Sequence, residues 1–151
     1  MENIWELTDA NDFVIALLEH LENKTQYGDD MSCLSEAERI FYITQSLEME
    51  VNNGGFSQFF YNSSGSFSNE LVSAFTAIGA NATAAICQKA ISAFGREIPV
   101  DRDERQDMLD ELECEEIDEI LEECDDDFYD YEDNLNELNY HFVIKNKESF
   151  T

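Results

Sequence analysis

Between residues 101 and 139 the chain carries 20 acidic side chains and 2 basic ones, a net charge of −18 in 39 residues. A fold must leave these carboxylates in water, because a buried and unpaired charge is expensive. The same stretch contains Met108, Leu109, Leu112, Ile117, Ile120 and Leu121, which need the opposite environment. A helix separates the two classes at this spacing, since residues three and four apart share a face. At about 100° per residue the first three of these apolar side chains point one way, and the last three about 120° further round. A bend near Glu113 to Glu116 reconciles the two stripes.

The remainder is milder, with 14 acids and 4 bases in residues 1 to 100. Across all 151 residues, 35 acids and 8 bases give a formal charge of −27. That balance argues against binding DNA, RNA or an anionic membrane through an electropositive surface, and it favours basic partners. Disorder throughout is not expected, because 43% of residues are hydrophobic and eleven Phe and six Tyr are available for a core. The length suits a single domain over residues 1–151, with 101–139 as an acidic segment inside it.

Helical spacing recurs along the chain. Phe13, Val14, Leu17, Leu18 and Leu21 follow Asp9 and Asn11, predicting a helix up to about Lys24. Ser35 and Glu38 form a capping-box pair ahead of Ile40, Ile43, Thr44, Leu47 and Val51. Asn52, Asn53, Gly54 and Gly55 should stop that helix, and a short one follows from Phe56 to about Asn62. Ser63 to Ser66 reads as a turn. Ser68 or Asn69 is placed to cap the next helix, closed by Gly79, and Asn81 to cap another, ended by Gly95 and Pro99. A last helix is expected from about Asp130 to Asn146, with Lys145 and Lys147 complementing its dipole. Strand signals are weak, so the expected fold is all-α, a compact domain of about seven helices.

Cys33, Cys87, Cys114 and Cys124 are widely spaced, and MENIWEL is not a basic and apolar leader, which together suggest reduced thiols in the cytoplasm. No apolar run approaches the roughly 20 residues that cross a bilayer.

The segment Glu50-Val-Asn-Asn-Gly-Gly-Phe-Ser-Gln-Phe-Phe-Tyr-Asn-Ser-Ser-Gly65 carries a recognisable pattern. Asn53, Gly54, Gly55, Phe56, Gln58, Phe60, Asn62, Ser63 and Gly65 follow NGGF-x-Q-x-F-x-NS-x-G, which closely resembles the signature of the bacterial DNA-mimic protein 19 family. Asp127-Phe-Tyr, then Leu135, Leu138 and the Lys145-Asn-Lys-x-x-Phe150 tail, resembles that family's closing helix, extending the likeness from the first helix to the C-terminus. The resemblance implies a helical fold, a homodimer, and a role as an acidic mimic of DNA that occupies the DNA-binding surface of a transcription factor. Read physically, the signature is structural: the glycines permit a sharp turn, the rings fill a core, and Gln58 and Asn62 are placed to bond open backbone groups. A polar pocket for a small ligand is the other reading of its amides.

Mimicry must find independent support in the acidic region, and charge density alone does not amount to it. Residues 102 to 123 hold 12 acids and 2 bases, a net of −10. Along roughly 33 Å of continuous helix that is about one charge per 3.3 Å, close to the phosphate spacing of about 3.4 Å on one DNA strand. A merely solvated charged face is the bland alternative, but like charges at this spacing repel and weaken a helix. The candidate partner-binding face comprises Asp103, Glu104, Asp107, Asp110, Glu111, Glu115, Glu116, Asp118, Glu119, Glu122 and Glu123. Its expected partner is a basic DNA-binding protein such as a transcription factor, with no direct contact to nucleic acid or membrane.

No metal site and no cofactor is expected. Asp125, Asp126, Asp127, Asp130, Glu132 and Asp133 have the composition of a calcium loop without its glycine or its alternation, and His20 and His141 have no ligating neighbours in sequence. No phosphate loop, nucleophile elbow or Cys–His pairing points to an enzyme. Two rival functions share the same residues. An immunity-type inhibitor of a toxin nuclease would use the charge, and a small-ligand module would use Asn53 to Asn62.

Overall fold

Ser35 opens the longest helix through the expected capping box. Its Oγ accepts from the Glu38 amide at 3.1 Å, and Glu38 Oε1 accepts from the Ser35 amide at 2.9 Å. The computed structural model describes Met1–Thr151 as eight α-helices and two 3-10 helices, Ser63–Glu70 and Lys147–Ser149, with no strand. The α-helices are α1 (Glu2–Trp5), α2 (Ala10–Lys24), α3 (Glu36–Tyr61), α4 (Leu71–Ala77), α5 (Asn81–Ser92), α6 (Arg102–Leu112), α7 (Glu115–Tyr129) and α8 (Leu135–Lys145). No helix is long and apolar enough to cross a membrane.

The all-α single domain follows the sequence, with eight α-helices against about seven expected: the opening residues form α1 and the acidic stretch divides into α6 and α7, while the short helix expected from Phe56 runs on from α3. Asp9 caps α2 by accepting from the Asp12 amide at 3.0 Å. The Asn52-Asn53-Gly54-Gly55 stop is a break without a loop. Gly54 (φ −160°, ψ 16°) and Gly55 (φ 79°, ψ 179°) leave helical geometry, and the chain re-enters a helix at Phe56.

Four boundaries differ from the sequence reading. The expected turn at Ser63 to Ser66 is the start of the 3-10 helix Ser63–Glu70. Neither Ser68 nor Asn69 caps α4: Ser68 Oγ donates to the Gly65 carbonyl at 2.6 Å, within its own 3-10 helix, and Asn69 Nδ2 makes a tertiary bond to the Ile98 carbonyl at 3.2 Å. Asn81 is the first residue of α5 and not its cap. Asp133 does that work from afar, accepting from the Thr83 amide at 2.8 Å and the Thr83 hydroxyl at 2.9 Å. The expected last helix from Asp130 starts five residues late, because α7 runs to Tyr129, Tyr131 then takes a left-handed conformation (φ 46°), and α8 begins only at Leu135. Asn134 caps the restart at α8, accepting from the Glu137 amide at 3.2 Å.

Helix α3 is the axis of the molecule. On one side the end of α3, α4, α5 and α7 enclose the larger core, including Leu47, Phe56, Phe59, Phe60, Phe75 and Phe128. On the other, α2 and α8 pack on the start of α3 through Phe13, Leu17, Leu21, Phe41 and Val143. A buried bond from Asn139 Nδ2 to Thr44 Oγ1 (3.3 Å) joins α8 to α3. Full burial of a Phe or Leu side chain is worth about 1.5–3 kcal/mol, so these rings dominate the stabilisation.

Candidate functional site

Helices α6 and α7 divide the acidic segment. Asp103, Glu104, Asp107, Asp110 and Glu111 lie on α6, and Glu115, Glu116, Asp118, Glu119, Glu122 and Glu123 on α7; all eleven side chains are exposed. On each helix the carboxylates share one arc, and the opposite arc buries Arg105 and Met108 on α6 and Leu121, Cys124 and Phe128 on α7. The expected bend is a complete break. Glu113 (ψ 122°) and Cys114 (φ −158°, ψ 161°) are extended, so the charged row is two rods of about 16 and 22 Å instead of one of 33 Å.

Little of this charge is compensated within the molecule. Glu123 pairs with Lys89 at 2.9 Å, with both side chains substantially exposed, an arrangement worth little. The other ten carboxylates make no salt bridge. Of the two bases in the segment, Arg102 is exposed and Arg105 is fully buried. Arg105 has turned away from the acids that surround it in sequence. Its Nε donates to the Phe60 carbonyl at 2.6 Å, Nη2 to Asn62 at 2.7 Å, and Nη1 to Val100 at 2.9 Å and Pro99 at 3.2 Å. Desolvation and nearby Arg102 pull its pKa down, but a guanidinium keeps its proton at any ordinary pH.

The signature lies beneath this face and supports it. Gly65 is buried, and a Cβ there would meet Arg105 Nε and the Phe60 carbonyl at 2.5 Å, so only glycine leaves room for the guanidinium. Gly55 has a backbone conformation open to glycine alone, and a Cβ on it would overlap the carboxylate of Asp125. Asp125 Oδ1 accepts from the Phe56 amide at 2.7 Å, capping the helical turn that restarts after the break. Burial raises the Asp125 pKa, with Asp126 and Glu122 adding to the shift and the Phe56 bond opposing it.

Two amides of the signature are matched inside the protein. Gln58 Nε2 and Asn62 Nδ2 both donate to Glu50 Oε2, at 2.8 and 3.1 Å, and no buried side-chain nitrogen or oxygen lacks a partner. Phe56 and Phe60 are buried, Ser63 is exposed, and Asn53 is exposed just before the break.

Two tyrosines complete the join. Tyr129 donates to the Val51 carbonyl at 2.7 Å, and Tyr131 donates to Glu48 at 2.9 Å while accepting from Asn52 at 2.8 Å. Burial pushes the Tyr131 hydroxyl up to about 12 and raises Glu48. Sequence reasoning missed Arg105, Asp125, Tyr129, Tyr131 and Asp133 as a class. Each bonds a residue far away in the chain, and within a segment of 20 acids nothing local marks Asp125 and Asp133 as structural.

This architecture defines an all-helical domain that presents an uncompensated carboxylate face on two helices, held by a glycine-broken helix below. The chain belongs to the DMP19-like protein family, whose model matches residues 32–146. The match omits α1, α2 and the last residues, so it is shorter than the span read from the sequence, although α2 packs directly on α3 and α8. No curated protein and no solved structure matches the chain.

Proposed function

We propose that this protein acts as a mimic of nucleic acid: it binds a basic DNA-binding protein, such as a transcription regulator, through α6 and α7 and competes with that protein's DNA. It is a binding protein on this reading, not an enzyme. The observation that carries it is the exposure of all eleven candidate carboxylates on the outer arcs of two helices, with ten of them unpaired. Membership of the DMP19-like family is consistent with this role without specifying it.

The mechanism has two stages. The summed field of the acidic face steers a basic partner and raises its association rate. Close carboxylate contacts with Arg and Lys then form, charge-assisted and in part bidentate. Burying Arg105 removes one of the segment's two cations from the surface and so strengthens the outward field.

Affinity capture from native lysate tests the proposal, comparing the wild type with a variant in which Asp107, Asp110, Glu115, Glu119 and Glu122 become Asn or Gln. The wild type should retain a nucleic-acid-binding protein that the variant loses, and the purified wild type should displace that protein from its DNA in a salt-dependent manner. Equal capture by both forms, or a captured protein that keeps its DNA, rejects the reading.

A further inference from the structure

The break between α6 and α7 also opens a groove. Leu109 and Leu112 of α6 and Ile117 and Leu121 of α7 line it, together with Tyr61 of α3 and Phe94 beyond α5. On a continuous helix the two apolar stripes would diverge by about 120°. The extended Glu113–Cys114 link turns both toward one hollow. Leu109, Leu112 and Ile117 remain half-buried and Tyr61 is 49% exposed, so apolar surface is left in water beside the acidic rows.

The hollow encloses about 200 Å³. That is below the range of drug-sized ligand sites, roughly 300 Å³ and upward, and above the roughly 150 Å³ cavity that admits a benzene ring. It fits one large side chain. Its rim carries Asp110, Glu113 and Asp118, all exposed and none in a salt bridge.

We propose that this groove receives a single Phe, Leu or Met side chain projecting from a lysine- and arginine-rich segment of the partner. The inference rests on the acidic-face reading and adds a register to it. Charge alone steers association and fixes no position along the face, whereas a desolvated apolar anchor slows dissociation. The rim sets the occupant's chemistry, because basic residues flanking the anchor pair with Asp110, Glu113 and Asp118. A second copy of this chain would bring its own carboxylates against the rim and is disfavoured.

Fluorescence anisotropy with designed peptides tests this on the full-length protein. The probe is a labelled lysine- and arginine-rich peptide with one central Phe, compared with its Phe→Ala form and with a peptide whose basic residues are replaced by Ser. The Phe form should bind about tenfold or more tightly than the Ala form, and the Ser form should bind far more weakly than either. Ser57→Trp places a bulky ring at the groove from an exposed lining position, so it should erase the Phe–Ala difference and keep salt-sensitive binding of both basic peptides. Equal binding of the Phe and Ala forms, or a difference that survives Ser57→Trp, overturns the groove and leaves the acidic-face reading standing. Equal binding of the Ser form overturns the basic-flanked occupant. If neither basic peptide binds at low salt, both readings fall.

Discussion

Arg105 Nε donates to the Phe60 carbonyl at 2.6 Å, so a cation from the acidic segment is tied to the backbone of the Asn53–Gly65 signature. Three more carbonyls complete the cradle, and none of its acceptors is a carboxylate. The arrangement accounts for two features that look unrelated in sequence: a glycine at 65 and an arginine 40 residues later.

Arg105→Lys should destabilise the fold, because an ammonium cannot reproduce a planar fork that reaches carbonyls on both sides. The expected loss is about 2–3 kcal/mol, set by the carbonyls left without a donor. Gly65→Ala should cost a similar amount, about 2 kcal/mol, by driving a methyl into the guanidinium and the Phe60 carbonyl. Urea denaturation measures both, and the double variant should be less destabilised than the sum of the two singles, since each disrupts the same contact. Strict additivity would mean that the two residues are not coupled.

Asp125 governs a pH dependence. Its folded pKa is raised above the ordinary 3.8, and that of Glu48 above 4.5, chiefly by burial. The folded state therefore holds protons at a pH where the unfolded chain has released them. The corresponding stability is fully present below the ordinary values and is lost as pH rises through the folded ones. Denaturation midpoints should fall as pH climbs from about 4 toward neutrality. Asp125→Asn keeps an oxygen facing the Phe56 amide and removes one of the two titrating groups, so it should reduce that slope, leaving the Glu48 part, and hold more stability at pH 7. Asp125→Ala removes the cap and should lose about 1 kcal/mol. An Asn variant with the full wild-type slope would place the titration elsewhere.

Much of the fold was legible because its signals are local. The Ser35–Glu38 capping box, the Gly54-Gly55 break and the opposed stripes on α6 and α7 all arise from residues within a few positions of one another. What was not legible is long-range. Asn81 has the chemistry of a cap, yet α5 is capped through Thr83 by Asp133, 50 residues beyond Thr83. Asp125 and Asp133 are only partly buried, each with a specific bond, within a run where the neighbouring acids are exposed. Spacing identified the candidate face, since an acidic position opposite an apolar stripe must point outward. It did not reveal that the broken helix gathers both stripes into one groove.

The distant cap makes a separable prediction. Asp133→Ala leaves the Thr83 amide and hydroxyl without their acceptor and should cost about 1 kcal/mol. Hydrogen exchange localises the effect: amides in the first turn of α5 should lose protection, while those of α2 and α8, on the far side of α3, should not. Asp126→Asn, an exposed acid nearby, is the control and should leave both regions unchanged. Uniform loss of protection in the Asp133 variant would show global destabilisation in place of a lost cap.

Stability and binding should move in opposite directions when the face is discharged. Asp107 stands three or four positions from Asp103, Glu104, Asp110 and Glu111, and Glu119 stands in the same relation to Glu115, Glu116, Glu122 and Glu123. Asp107→Asn with Glu119→Gln therefore removes eight like-charge pairs with two near-isosteric changes, neither touching the buried arcs. Relief of repulsion should raise Tm by a few degrees at low ionic strength and by less in high salt, where the charges are already screened. The same variant should bind a basic peptide or basic partner protein more weakly, with a shallower salt dependence. A face that served solubility alone would show the first effect without the second. A rise in Tm together with unchanged partner binding would therefore assign these carboxylates to solvation, whereas opposed changes would show that the protein retains destabilising charge because the charge makes the contact.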